Sequence, residues 1–344
     1  MSFPVPQNGV NASFKNPEVD PIETKLRENL GKCFFDSRSA VARLHLAGQE
    51  HRRGSNLYFY RLSDAPADRP QVLAVKVFSA RAGGRVAAER QFAALSEAWP
   101  TFEDSPTLRI PRPIAFFPEL GAIVTEWVSG TSLQNRFKTL WSRKKNLALS
   151  CANAGRWLRR YHLATALPAR PLDLDKKLDH WPVALGRFEQ AGFSPELGPA
   201  LNDALGRFTG KIRGIALETA SVHGDFSVDN VLVDGGRVTV IDLAGKDHNA
   251  VFHDLASFLN SLQLTALTWP VADSLIDDCG RAFLDAYFDS SIRDRHVLNF
   301  LRLVGLVSVT VEISERRRGQ PLIRWWVRHY SERLLRRAIG DMDC

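Results

Sequence analysis

The stretch that most restricts what this chain can fold into is Ser221–Leu243, SVHGDFSVDNVLVDGGRVTVIDL. Asp234-Gly235-Gly236 is a tight turn between two short β-prone runs, so Val231–Leu243 reads as a hairpin inside a mainly helical half. Ahead of it, His223-Gly224-Asp225 is followed five residues after the Asp by Asn230, and Asp242 closes the hairpin's second strand. An Asp or Asn met singly at a turn is usually a cap or a solvated side chain. Here order, spacing and hairpin context act together, and that combination gives a motif its meaning. His223 is expected to hold the loop by hydrogen bonds rather than to react.

The rest of the chain divides in two. Residues 1–24 are polar and carry Pro4, Pro6, Pro17 and Pro21, which predicts a loose leader. Residues 25–128 read as a small antiparallel sheet with one helix. Asn56–Leu62 and Gln71–Phe78 form one expected hairpin, and Pro113–Phe117 with Ala122–Val128 another. Gly83–Trp99 is the helix, with Ala88, Phe92, Leu95 and Trp99 on its expected inner face. Residues 129–344 turn helical, with patterns at about 142–162, 195–216, 252–267, 271–288 and 293–337. The longest uncharged stretch, Leu255–Ala272, is too polar for a membrane span, and the N-terminus lacks the n- and h-regions of a secretion signal. Cys33, Cys151, Cys279 and Cys344 form no CxxC pair, so reduced thiols in a cytoplasmic protein are expected.

The spacing in Ser221–Leu243 resembles a kinase catalytic loop, H-R-D-x-x-x-x-N, followed by a metal-binding Asp. Phosphoryl transfer needs an acid at the acceptor hydroxyl and oxygen ligands for Mg²⁺ beside the phosphates. Asp225 suits the first task, and Asn230 and Asp242 the second. A kinase also needs a Lys on the third strand and a Glu on the next helix. Val72–Phe78, VLAVKVF, offers Lys76, although an edge strand with a single guard charge reads the same way. Glu89 is the expected partner of Lys76, with Glu97 its rival. Gly54-Ser55 before a strand reads either as a phosphate-covering turn or as an ordinary one. No P-loop motif is present.

With these residues in place, the chain resembles the aminoglycoside phosphotransferase family, the small-molecule branch of the protein-kinase-like fold. HGDFSVDNVLV matches the family's catalytic loop, VIDLAGKDHNAVFHDLASFL its metal Asp and a second Asp-Leu-Ala, and GAIVTEWVSGTSL its hinge. The resemblance implies an α+β, bilobal fold: an N-lobe over 25–128 and a C-lobe over 129–344. It implies ATP and Mg²⁺ as cofactors, with Asp225 as base, Asn230 and Asp242 on the metal, and Lys76 on the ATP phosphates, held by Glu89. Backbone around Glu126–Val128 would receive adenine, and Asp254 would buttress the loop. Asp254 follows Asp242 by twelve residues with no A-P-E, which leaves little room to dock a peptide. A small-molecule or glycoconjugate acceptor is therefore expected. The alternative is a pseudokinase that binds nucleotide without turnover.

The formal charge of +7 has one source. Arg316–Arg337 carries eight arginines against one glutamate, which equals the whole surplus. No nucleic-acid motif accompanies it. Together with Trp325, Trp326 and Tyr330, these arginines fit peripheral contact with anionic lipid, or a helix that packs its aromatics and leaves Arg in solvent. The cost of exposing Trp favours the packed helix. Asp277, Asp278, Asp285, Asp289 and Asp294 suggest an acidic pocket for a polycation, or more simply a solvated acidic face.

Overall fold

A computed structural model describes residues 21–33, 43–52, 54–63, 70–80, 83–138, 144–244, 248–268, 271–288 and 294–340. The chain forms two compact units. One comprises 1–105, 109–129 and 239–245, and the other 106–108, 130–238 and 246–344. The segment carrying Asp242 belongs with the first unit, whereas the sequence places it in the expected C-lobe over 129–344.

The first unit runs α1 (Pro21–Cys33), β1 (Arg43–Arg52), β2 (Ser55–Ser63), β3 (Val72–Phe78), α2 (Gly84–Phe102), β4 (Leu108–Arg109), β5 (Pro113–Phe117) and β6 (Ala122–Glu126). Residues 1–20 of the expected leader lie outside the described residues, and 21–24 are the first turn of α1 instead. Pro21 suits a helix start, and Ile22 and Leu26 pay for order by joining the sheet's core with Tyr60, Leu73, Val75 and Val124. The five-stranded sheet has the order β1-β2-β3-β6-β5. In it β3 lies centrally, pairing Lys76 with Leu57 on one side and Ile123 on the other, so Lys76 is not an edge-strand guard charge.

Helix α2 turns a different face inward from the one expected. Its buried residues are Gly84, Ala88, Gln91, Ala94, Leu95, Ala98 and Phe102. Phe92 and Trp99 are only partly covered, and Glu89 and Glu97 are exposed. The buried stripe keeps helical spacing but contains a glutamine, which an apolar pattern does not register.

The second unit runs β7 (Thr131–Ser132), α3 (Leu133–Lys138), α4 (Lys144–Ala164), β8 (Ala166–Pro171), α5 (Leu174–Leu178), α6 (Trp181–Gln190), α7 (Leu197–Ile212), β9 (Ala216–Ser221), β10 (Val231–Asp234), β11 (Arg237–Val240), β12 (His248–Ala250), α8 (Phe252–Thr268), α9 (Asp273–Phe288), α10 (Arg295–Arg316) and α11 (Pro321–Gly340). Strands β11, β10 and β7 are neighbours in one sheet that contains the expected hairpin, and a second sheet, β12-β9-β8, was not anticipated. The single helical pattern expected over 293–337 is divided at 317–320, where Gly319 and Pro321 break it. Among the described residues, α10 is the one helix long and apolar enough to cross a membrane. Here it packs as a core helix, burying Val297, Phe300, Leu303, Val307 and Val311.

Close approach of α4 and α9 centres on Gly155. A Cβ placed there would stand 2.3 Å from the Phe283 carbonyl oxygen. Gly206 on α7 has open space around it. Gly155→Ala is therefore expected to lower stability by about 1–3 kcal/mol, and Gly206→Ala to raise it by about 0.5–1 kcal/mol. Urea midpoints of the two variants check this opposition of sign.

Candidate active site

The loop after β9 is built around one buried carboxylate. Asp254, in the first turn of α8, accepts the His223 N–H at 2.6 Å and the Gly224 N–H at 2.9 Å. It also faces His162 Nε2 at 3.1 Å, and His162 Nδ1 lies 2.8 Å from the Tyr287 hydroxyl. Burial alone would raise the Asp254 carboxyl. The hydrogen bond and charge of His162, with the loop amide, outweigh it and hold the group below its usual range. Gly224 has φ 83°, the left-handed region where glycine is easily accommodated.

Phe226 is the loop's apolar anchor. Its ring lies 5.7 Å from Trp157, 5.4 Å from Phe258 and 6.2 Å from Phe283, and it is fully buried. Further on, Val228 N–H donates to Ser261 Oγ at 3.1 Å. With both ends and the middle fixed, Asp225 is left exposed. Asn230 Nδ2 donates to the Asp225 carbonyl at 2.9 Å and to its carboxylate at 3.3 Å. Two of the expected residues, Asp225 and Asn230, are thereby brought together in one unit.

The first unit holds the others. Lys76 Nζ meets Asp242 Oδ1 at 2.7 Å, and Gln91 Nε2 donates to the same oxygen at 3.4 Å. Arg52, at the end of β1, lies 3.9 Å from Asp242 Oδ2. Burial would raise the Asp242 carboxyl, but Lys76, Gln91 and Arg52 together hold it below its ordinary value. Asp242 has φ 61°, a left-handed conformation unusual away from glycine. The expected Lys76–Glu89 pair is corrected by this geometry. Glu89 points to solvent because it lies off the buried stripe of α2, and Gln91 is the α2 residue that reaches the Lys76–Asp242 pair.

At Gly54 the chain makes a tight hairpin turn: Arg52 pairs with Ser55, Gly54 has φ 92°, and its carbonyl accepts Ser79 N–H at 2.9 Å. The Ser55 side chain is buried, so the turn offers backbone rather than a hydroxyl. At the end of β6, Glu126 N–H bonds the Arg112 carbonyl and Trp127 N–H the Val72 carbonyl, both at 3.0 Å. Burial raises the Glu126 carboxyl, partly offset by Arg109 at 3.3 Å. Among the described residues, no cluster of three or more His, Cys, Asp or Glu side chains is arranged to hold a metal.

The acidic face of α9 borders a cavity of about 480 Å³, but Asp277 and Asp285 share its lining with Arg281, Arg295, Arg302 and Arg337, so it is not an acidic pocket. Asp273 and Asp277 pair with Arg333 and Arg337 of α11, and Asp278 pairs with Arg281. Much of the tail's positive charge is thus matched locally, and Asp289 lies outside the described residues.

Against known proteins, a family model described as the phosphotransferase enzyme family matches residues 55–301. A search of curated proteins returns no match. Among solved structures, a choline/ethanolamine kinase family protein from Mesorhizobium loti aligns at TM-score 0.51 and 15% identity, covering 93% of this chain and 98% of that one. A glucosamine kinase aligns at 0.53 and 16%, covering 88% and 95%. The streptomycin–ATP–APH(2")-IIa ternary complex aligns at 0.50 and 13%, covering 91% and 97%. At such identities the likeness is one of fold, and the fold is the kinase-like α+β arrangement expected from the sequence.

His253, beside Asp254, has a ring nitrogen buried without a partner. Burial, and secondarily Lys177, depress its pKa from 6.5 to about 4. The unfolded chain then binds the extra proton first, so this contribution to stability is present above pH 6.5 and is lost as pH falls toward 4. The loss is on the order of 3 kcal/mol. His253→Leu is expected to flatten the fall of the urea midpoint across that window; an unchanged slope would show that another group titrates.

Proposed function

The chain belongs to the phosphotransferase enzyme family, and from that premise we propose that it is an ATP- and Mg²⁺-dependent kinase that phosphorylates a hydroxyl of a small-molecule or sugar-containing acceptor. The observation that carries this reading is the loop from His223 to Asn230, held at its start by Asp254 and in its middle by Phe226, with the Asp225 carboxylate left exposed. Such a loop costs no reorganisation at the moment of reaction.

In the proposed reaction Asp225 accepts a hydrogen bond from the acceptor hydroxyl and aims its oxygen at the γ-phosphorus. The new P–O bond forms as the bond from the γ-phosphorus to the β–γ bridging oxygen breaks. ADP leaves with that oxygen, and Asp225 takes the hydroxyl proton. Lys76 contacts the ATP phosphates, exchanging its bond to Asp242 for them. The backbone of the turn at Gly54 and Ser55 covers the phosphates, and the segment Glu126–Val128 receives adenine. The amides of Glu126 and Trp127 are already engaged, so Val128 supplies the amide donor.

Asn230 and Asp242 are the residues that would hold Mg²⁺. Asn230 spends its nitrogen on Asp225, which leaves its amide oxygen as a ligand, and Asp242 offers a carboxylate. These are the hard oxygen donors the ion takes. When bound, it neutralises charge on the transferring group.

The spacing after Asp242 supports a small acceptor. Strand β12 starts at His248 and α8 at Phe252, so no long peptide-docking segment intervenes. The similar structures include a choline/ethanolamine kinase family protein and a glucosamine kinase, and acceptors of that size are the first to assay. A second reading, a non-catalytic nucleotide-binding module, is favoured by one observation: Gln91 reaches the Lys76–Asp242 pair where a kinase uses a glutamate.

The test incubates γ-labelled ATP, Mg²⁺ and a metabolite and lipid extract with wild type and Asp225→Asn. A labelled product is expected with wild type, with turnover lower by about 10²–10⁴-fold in the variant and Mg-ATP binding retained. Equal turnover in the variant removes Asp225 from its role. Mg-ATP binding without product from any acceptor moves the assignment to the second reading. Lys76→Ala is expected to weaken Mg-ATP binding under either reading, which equilibrium dialysis measures.

A further inference from the structure

The tail helix does not pack all of its aromatics. Tyr330, Val327, Leu334 and Leu335 are buried, as a packed helix requires. The first turn and a half of α11 behaves differently: Leu322 is 82% exposed, Ile323 46%, Trp325 57% and Trp326 44%. Four large apolar side chains within five residues form a contiguous patch rather than the scattered exposure a surface tolerates.

Charge beside this patch is mainly positive. Between Glu312 and Tyr330 there are five arginines against two glutamates. Arg316, Arg317 and Arg318 all stand exposed at the corner between α10 and α11. Arg316 pairs with Glu312 and Arg317 contacts Gln320, both pairs on the surface where such bonds are weak and readily exchanged. The arginines further along are committed elsewhere: Arg333, Arg336 and Arg337 to carboxylates, and Arg324 and Arg328 to the carbonyls of Ala191 and Gly192. The weakly held positive charge and the exposed apolar surface therefore coincide at the corner.

The corner also adjoins the catalytic loop. A cavity of about 240 Å³ is lined by Val228 and Asp229 of that loop and by Ile313, Arg317, Ile323 and Val327 of the two helices. Whatever docks on the corner is held beside the loop.

We propose that the α10–α11 corner is a docking surface for an anionic lipid bilayer. Trp, Leu and Ile enter the headgroup–acyl boundary while Arg316–Arg318 meet lipid phosphates, the division of labour of an interfacial helix. A nucleic-acid partner would use the arginines and leave the apolar patch unpaired. A purely apolar protein partner would leave the arginines unmatched. The proposal does not depend on the kinase reading, because vesicle binding is measured without turnover.

The experiment sediments the full-length protein with phosphatidylcholine vesicles, with and without phosphatidylglycerol, at about 0.05 M and about 0.5 M NaCl. Binding is expected to the anionic vesicles and to fall with salt. The double variants Leu322→Ser with Trp325→Ser, and Arg317→Glu with Arg318→Glu, are each expected to weaken it by roughly tenfold with thermal midpoints unchanged. Wild type that ignores anionic vesicles at low salt overturns the proposal. So does vesicle binding that both double variants retain. A dimer at working concentration that the Leu322→Ser, Trp325→Ser variant dissolves also overturns it, by making a second copy the occupant of the patch.

Discussion

The carboxylate of Asp254 organises more of this protein than any group that touches substrate in the proposed reaction. It is a buried charge, which is tolerable only with donors on its oxygens. Those donors are the amides of His223 and Gly224 and the ring of His162. Satisfying one costly group therefore fixes the start of the His223–Asn230 loop relative to α4, through His162, and α8, through Asp254 itself. Tyr287 extends the chain of bonds to α9. The four elements are tied by polar bonds at the centre of an apolar, aromatic core, and Phe226 inserts the loop into that same core. Polar network and ring packing are two halves of one constraint.

The first unit shows the opposite balance. Its ion pair between Lys76 and Asp242 is partly open to solvent, and both members carry out other tasks in the proposed reaction. An interaction that the proposed reaction exchanges for phosphates and metal would gain nothing from deep burial. Asp242 also sits in a strained backbone region, a cost of order 1 kcal/mol that a glycine there would avoid. Buried polar bonds are concentrated around the loop, and the more open pair belongs to the residues assigned to nucleotide and metal in the proposed reaction.

What could be read from the sequence follows physical range. The hairpins carry local signals, alternating β-prone residues and Gly- or Pro-rich turns, and they were legible. The loop from His223 to Asn230 was legible because its residues are close in sequence. Asp254 could be placed as a buttress by resemblance. Long-range and polar features were not legible. Gln91 is invisible to apolar periodicity because the residue that completes the stripe is an amide, although the spacing 84, 88, 91, 95, 98 and 102 includes it. The sheet β12-β9-β8 joins strands far apart in sequence, and its edge strand β8, mostly exposed, lacks an apolar rhythm. The break at 317–320 was marked by Gly319 and Pro321, but a strong apolar pattern on both sides masked it. The tail was expected to choose between packing and exposure, and it divides them along one helix.

One feature of the chain's path bears on its biosynthesis. The N-terminal unit closes with residues 239–245, so its list of parts is incomplete until that segment has left the ribosome. Lys76 is synthesised long before the aspartate it pairs with, 166 residues later. The five-stranded sheet can assemble early from its own hairpins, but its central ammonium waits unmatched while the loop, α4 and the hairpin β10–β11 are made. Unit-by-unit folding during translation, the usual safeguard of large chains, is thus denied to the half that emerges first. Completion of that half is a late event, coupled to emergence of the segment that follows the His223–Asn230 loop and its hairpin.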